Sequence, residues 1–477
     1  HTWPLFSVTQ TQSIEKQAQA ELAPHTLMRR AGLATAQLAL AIAPHAEHIW
    51  IACGPGNNGG DGLETAIHLK AWGKKPCVTW LGKSEIATTD TQEALKRAIA
   101  ADISIQTEAP QKFDLAIDAL LGIGARRTPD ETMSNWLGIM ERSNKPVLCV
   151  DVPTGLLADT GEWFDTSRPR CTNRHTLSLL TLKPGLFTAS GRDAAGQVWF
   201  NDLGIKTSLS PSSWLSHIQA PRPQNTHASH KGSLGDVIIL GGALGMSGAA
   251  VLAGVAALHG GAGRVFVGLL DETSRHGVLA THPALMVRAP VDLDFTASTV
   301  VCGCGGGHEI HQHLHKVISS AHRLVLDADA LNAIAADTSL QTLLMNRCAR
   351  NRSTVLTPHP LEAARLLNCT TQAIQQNRLD AAKKLAAKFN SIVVLKGSGS
   401  VIAQTHKLPV INGSGNALLA TAGTGDVLAG LIGAYLGQSE DMFEATCQAV
   451  YAQGKVADTW PTSDTALDAA RLAASVR

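Results

Sequence analysis

Ten residues near the end of the chain, T-A-G-T-G-D-V-L-A-G at 421–430, gather in one place what phosphate chemistry needs. Gly423 and Gly425 carry no Cβ to keep an anion from the backbone N–H groups, and a helix opening at Asp426 turns its positive end toward the same spot. A carboxylate between nucleotide phosphates and a substrate hydroxyl could remove the hydroxyl proton as phosphate is transferred, which makes Asp426 a candidate acid/base. A tight turn capped by an aspartate would account equally well for G-x-G-D alone. The company it keeps favours chemistry: N-G-S-G-N (412–416), L-K-G-S-G-S (395–400), T-P-H-P-L-E (357–362) and D-A-D-A-L-N (327–332) lie upstream, most of them after an apolar run that reads as a strand. Lys396 sets a cation beside glycines whose N–H groups can bind oxygens, though the spacing is not that of a Walker A loop. His359, between two prolines just after a strand, is held rigidly at a sheet rim and is a candidate ligand contact.

A second constellation occupies the first half. The apolar run H-I-W-I-A-C (48–53) is followed by G-P-G-N-N-G-G-D-G (54–62) and then by an amphipathic helical pattern. Asn57 and Asn58 offer donors and acceptors, and Asp61 stands at the helix start, so this loop can do more than cradle a phosphate. Asp118 closes the strand in D-L-A-I-D-A-L-L-G-I-G (114–124), and Asp151 closes K-P-V-L-C-V-D-V-P-T-G (145–155). In open α/β sheets ligands bind at the carboxyl rim, so both acids and the asparagine-rich loop should converge on one crevice. A carboxylate there could be a general acid or base, a ribose ligand or a cation ligand, while a single strand-end aspartate could equally cap the next turn.

The elements that must position these residues are regular. Strand and helix alternate through both halves, which implies parallel sheets covered by helices: an α/β chain with two three-layer α/β/α domains. At 477 residues the chain is too long for one core. Residues 206–229, rich in Ser and Pro and without periodicity, mark the join, giving domains at 1–210 and 225–477. In the second domain a small-residue helix begins near Gly248 and Ala249, where either a flat ligand or a tightly packed helix would fit. A formal net charge of +1 with no long basic run excludes nucleic acid and anionic membrane as main partners and favours a small metabolite. Nine scattered cysteines without a C-x-x-C pair read as reduced thiols. The first residues lack the basic start and apolar centre of a signal peptide, and no uncharged run spans a bilayer, so a soluble cytoplasmic protein is the expectation. Small residues and low charge make it a homo-oligomer on the same reading.

Three motifs in order, G-P-G-N-N-G-G-D-G, D-A-L-L-G-I-G and D-V-P-T-G, resemble the NAD(P)H-hydrate (NADHX/NADPHX) epimerase domain over residues 1–210, a Rossmann-like fold. The resemblance implies a potassium ion on Asn58, Asp118 and Thr154, the last in place of the family's usual Ser with its hydroxyl kept. It implies substrate contacts from Asn57, Asn58, Gly59, Gly60 and Asp61, from Gly122, Ile123, Gly124, Ala125, Arg126, Arg127 and Thr128, and from Asp151 as the catalytic acid/base. H-K-G-x-x-G, T-P-H-P-x-E, L-K-G-x-G-x and G-N-x-x-L-A-T-A-G-T-G-D-V-L-x-G resemble the ribokinase-like ADP/ATP-dependent NAD(P)H-hydrate dehydratases over residues 225–477. Here the resemblance implies that Lys396, Gly397, Ser398, Gly399, Ser400 and Gly425 bind ADP or ATP with Mg2+, and that Ala249, Gly305, His359 and the catalytic Asp426 face the hydrate. Cys304 stands where the family pattern has Pro, and Thr424 where Ser or Met is common. Together the halves resemble the bifunctional NAD(P)H-hydrate repair enzymes. A plain vitamin or sugar kinase would keep Asp426 and the phosphate loops but leave T-P-H-P-L-E and both strand-end acids unexplained; a first domain serving only nucleotide sensing or assembly would leave Asn58, Asp118 and Asp151 without a use.

Overall fold

A computed structural model describes residues 2–82, 87–125, 127–164, 173–216, 234–461 and 466–476. The chain divides into two compact units, residues 4–213 and residues 214–477 together with 1–3. The opening strand β1 (Thr2–Leu5) stands at the edge of the sheet of the second unit.

The first unit is built on β2 (His48–Cys53), β3 (Lys75–Trp80), β4 (Ser104–Gln106), β5 (Leu115–Ala119), β6 (Val147–Val150), β7 (Arg174–Leu179) and β8 (Gln197–Asn201). They lie in the order β4-β3-β2-β5-β6-β7-β8 with every pairing parallel. Alternate residues of β2 serve opposite faces: Ile49, Ile51 and Cys53 join one apolar cluster, Trp50 and Ala52 another with Phe113 and Trp136. A strand covered on both sides needs apolar side chains at nearly every position, which is why H-I-W-I-A-C shows no alternation. Strand order reverses between β2 and β5, and their ends are level, with Ala52 opposite Asp118. A crevice at these carboxyl ends follows from that reversal.

The helix after β2 begins at Asn57 and runs to Ala71, so the N-N-G-G-D stretch that reads as a loop is already helical. Close packing explains the glycines. A Cβ at Gly59 would sit 1.9 Å from the Gly54 carbonyl oxygen, and one at Gly62 would sit 2.7 Å from Cys53 Sγ. Only without side chains can this helix lie so near the strands.

The second unit carries β9 (Ser213–Ser216), β10 (Asp236–Gly241), β11 (Arg264–Leu269), β12 (Met286–Arg288), β13 (Thr299–Cys302), β14 (Arg323–Leu326), β15 (Ser353–Leu356), β16 (Ile392–Leu395), β17 (Val401–Ala403) and β18 (Val410–Asn412). The sheet order is β1-β9-β18-β17-β16-β15-β14-β13-β10-β11-β12. From β12 to β16 neighbours are parallel, and β17 runs antiparallel to both β16 and β18. Order reverses between β10 and β13. The helix Ser247–His259 packs on the helix Thr424–Gly437, and Gly430 lets the two meet: a Cβ there would lie 2.0 Å from the Ala253 carbonyl oxygen. Tight helix packing is thus one use of the small residues around Ala249.

Within the aperiodic stretch 206–229, Trp214 and Leu215 pair with Val410 and Ile411 to form β9. Four residues are too few to display a period, and the strand is defined by its partner. Residues 217–233, with most of H-K-G-S-L-G, lie outside the described residues. No disulfide joins the described cysteines. Among the described residues no helix is long and apolar enough to cross a membrane.

Candidate active sites

At the reversal in the first sheet a cavity of about 640 Å³ opens, lined among others by Asn57, Asn58, Asp61, Gly122, Ile123, Gly124, Ala125, Arg127 and Asp151. Gly56 caps the helix without a side-chain bond to its first amides, so the helix N-terminus is available to a ligand oxygen. Asn57 Oδ1 accepts from the Thr88 hydroxyl at 2.5 Å, which orients its amide. Asp61 and Glu15 are both pushed above the ordinary carboxylate range, first by burial and then by neighbouring acids that for each include Asp151, and for Asp61 well above it. Asp151 has a left-handed backbone, φ 68°, and its carboxylate pairs with the fully buried Lys183.

Asp118 behaves differently from the convergence expected of it. It is 1% exposed and points into the protein, where its carboxylate accepts from Thr154 N at 2.9 Å, Thr154 Oγ1 at 2.7 Å and Leu120 N at 3.3 Å. The Thr154 hydroxyl in turn accepts from Leu121 N at 3.0 Å. These bonds join the loops after β5 and β6 behind the cavity wall, because a buried carboxylate must find donors and the loop amides supply them. Asn58 is buried against Gly122, and its Nδ2 has no protein partner among the described residues. Gly59 and Gly60 are buried packing positions, and Thr128 is exposed; none of the three lines the cavity. Arg126 lies outside the described residues.

In the second unit the strands β13 to β16 deliver their following loops to one rim. Lys396 Nζ donates to Asp327 Oδ1 at 2.6 Å, and Thr357 Oγ1 donates to the same oxygen at 2.7 Å. Cys304 Sγ and carboxylate oxygens of Asp327 and Asp426 lie within 4.8 Å of one another. Burial and the charge of Asp327 push the Asp426 carboxyl up to about 6. Burial pulls Lys396 down, but Asp327 and Glu362 hold it above its ordinary value, so it remains a cation. The helix bearing Asp426 starts at Thr424, with Gly423 as its cap at φ 90°, two residues before the start that the sequence suggests. That places Gly425 and Asp426 in the first turn, with Gly425 so near that a Cβ on it would lie 3.3 Å from Lys396 Nζ. Gly397 and Gly399 have φ of 136° and 59°, and buried Arg378 donates to the carbonyls of Leu395 and Lys396 beneath the turn that carries Ser398 and Ser400.

Ala249 and Gly305 are neighbours across the rim: a Cβ on Gly305 would be 2.8 Å from that of Ala249. His359 has structural work as well as a rim position. Its Nδ1 accepts from Leu361 N and Glu362 N at 3.1 and 3.3 Å, capping the helix Pro360–Leu367, and Nε2 faces Glu362 at 3.2 Å. With Nδ1 an acceptor the ring is neutral, in line with a pKa lowered by burial and by Lys396. Sequence reasoning missed Lys183, Asp327 as partner of Lys396, and Arg378. The signals present were a polar residue just past a strand in T-L-K-P-G and in L-D-A-D; Arg378 sits in an ordinary amphipathic helix and offers none.

Two α/β units, each with an acid at the carboxyl rim of its own mainly parallel sheet, define a two-site α/β enzyme. Residues 237–476 match the family model described as NAD(P)H-hydrate dehydratase, and residues 24–185 the one described as YjeF-related protein N-terminus. The bifunctional NAD(P)H-hydrate repair enzyme Nnr of Escherichia coli (strain K12) is 36% identical over 455 residues, 91% of this chain and 85% of that protein. The ADP-dependent (S)-NAD(P)H-hydrate dehydratase of Neisseria meningitidis serogroup B is 41% identical over 48% of this chain and 78% of its own length. A crystal structure of the ADP/ATP-dependent NAD(P)H-hydrate dehydratase from Bacillus subtilis, co-crystallized with ATP/Mg2+, is 31% identical over 53% of this chain and 91% of its own, with a TM-score of 0.47. The chain belongs to the bifunctional NAD(P)H-hydrate repair enzyme family.

Proposed function

We infer that this chain repairs hydrated nicotinamide cofactors: its first unit interconverts the R and S epimers of NADHX and NADPHX, and its second dehydrates the S epimer with ADP or ATP and Mg2+. The observation that carries the reading is an acid on each rim, Asp151 beside the Asn57–Asp61 helix start and Asp426 beside Lys396, in a chain related along both halves to a protein named as a bifunctional NAD(P)H-hydrate repair enzyme. In the second unit Asp426, ionised above about pH 6, takes the hydroxyl proton while the terminal phosphoryl group passes from the nucleotide to that oxygen. The C–O bond then breaks, its electron pair leaving with phosphate, and loss of a proton from the neighbouring ring carbon restores the double bond. Lys396 and the turn 396–400, with Gly425, hold the phosphates. Ala249, Gly305 and His359 line the approach of the hydrate.

In the first unit the hydroxyl to be inverted sits on the carbon beside the ring nitrogen. Asp151 moves the proton needed for that carbon to open and reclose on its other face. We further propose a potassium ion held by Asn58, Asp118 and Thr154. The fit rests on the oxygens these side chains carry, an amide carbonyl, a carboxylate and a hydroxyl, all three residues being buried. When bound, the ion would supply positive charge near the cavity that Asn58 lines. A homo-oligomer in the cytoplasm is proposed on the composition, whose nine scattered cysteines include no C-x-x-C pair.

The test is the near-ultraviolet absorbance of NADH after protein, ADP or ATP, magnesium and potassium are added to a mixture of both epimers. Recovery from both, faster than they interconvert unaided, is expected, and replacing potassium by lithium should slow the R share. Recovery that stops at the S share would remove the epimerase reading. No recovery, with nucleotide consumed on another alcohol, would replace the whole by a kinase.

A further inference from the structure

Lys183 follows β7 in T-L-K-P-G and is fully buried, a site an ammonium tolerates only when its protons have acceptors. It has three: the Leu179 carbonyl at 2.6 Å, the Ser178 hydroxyl at 3.3 Å and Asp151 Oδ1. The first two belong to β7, so the third proton reaches Asp151 from a fixed point. Asp151 is equally constrained. Its backbone is left-handed, and the Leu179 N–H donates to the same Oδ1 at 3.3 Å. Among the described residues both side-chain bonds fall on Oδ1, which leaves Oδ2 as the oxygen for a substrate in the cavity that Asp151 lines.

Among the described residues, charged groups around Asp151 include Glu15 from the helix Val8–Glu21, Asp61 from the helix Asn57–Ala71 and Lys183 from the turn after β7, and Asp90 and Arg127 line the same cavity. Of these, Lys183 is the cation that pairs with Asp151. We propose that Lys183 is a positioning residue for the epimerisation, an inference that rests on the epimerase reading above: its ion pair holds Oδ1 of Asp151 in place and presents Oδ2 to the hydrate, so that the hydroxyl proton is taken and returned at that one oxygen.

The experiment uses the full chain without nucleotide, so that only epimerisation is followed, and measures R to S conversion of NADHX by NMR for the parent, Lys183→Met, Lys183→Arg, Asp151→Asn and the double variant Lys183→Met/Asp151→Asn. Lys183→Met should lower kcat by about 100-fold or more with KM little changed. Lys183→Arg should keep most of the parent's kcat, and the double variant should be no slower than Asp151→Asn, since both residues act through one oxygen. A merely structural lysine would raise KM as well as lower kcat and add to the Asp151→Asn loss; that result, or the parent rate in Lys183→Met, would overturn the inference while leaving the epimerase reading intact. Should Lys183→Met fail to fold, the charge-keeping Lys183→Arg and the double variant, which buries no unpaired acid, still decide it. A parent chain that does not interconvert the epimers would overturn the epimerase reading and this inference with it.

Discussion

Asp426 has a carboxyl held at about 6, against 3.8 for an aspartate in water. Burial comes first among the causes, then the negative charge of Asp327, with the Lys396 ammonium acting in the other direction. A base with this value is charged at neutral pH yet takes up a proton more readily than an ordinary aspartate, which suits reversible proton transfer. The sign of the pH dependence follows: the base form is lost as pH falls through about 6, so dehydration of the S epimer should fall there and level off above. Asp426→Asn keeps the shape and removes the base; it should lower the rate by about 10²–10⁴-fold. Initial rates of NADH formation across pH for parent and variant check both statements, and an acid limb near pH 4 would refute the raised value.

The turn after β16 is an element whose conformation side chains alone would not choose. Gly397 sits at φ 136°, a region where any other residue is strained, and a Cβ there would lie 3.0 Å from both terminal nitrogens of Arg378. Arg378 is buried beneath the turn, its pKa lowered by that burial to about 10, and its bonds to the Leu395 and Lys396 carbonyls fix where the next amides point. Gly397→Ala should strain the turn by about 1–3 kcal/mol. Since a factor of ten in affinity is about 1.4 kcal/mol, the variant should raise the KM for ADP or ATP about tenfold or more while the fold of the unit survives. Nucleotide titrations of the two proteins would show it; an unchanged KM would mean that the turn does not hold the phosphates.

At the scale of the whole molecule each candidate site draws, among the described residues, on one unit. The cavity around Asp151 is lined by residues between Thr11 and Leu203, and the cluster around Asp426 draws on residues from Ala249 to Asp426. Chains carrying Asp151→Ala and chains carrying Asp426→Asn, mixed in equal amounts, should therefore recover NADH from both epimers, although neither variant does so alone. Recovery confined to the S share in the mixture would mean that the hydrate does not pass freely between chains.

By itself the sequence determined the alternation of strands and helices, the glycine-rich stretches and the acids at strand ends, because these are local: a period, a missing Cβ or a polar residue closing an apolar run can be read within a dozen residues. Only the tertiary structure decided that Asp118 turns inward while Asp151 faces the cavity, for which of two strand-end acids meets donors depends on loops elsewhere in the chain. It alone gave Lys183 to Asp151, 32 residues away, and Lys396 to Asp327, 69 residues away. Those partnerships arise where a parallel sheet sets the ends of non-consecutive strands side by side, and the spacing of residues along the chain holds no record of that neighbourhood.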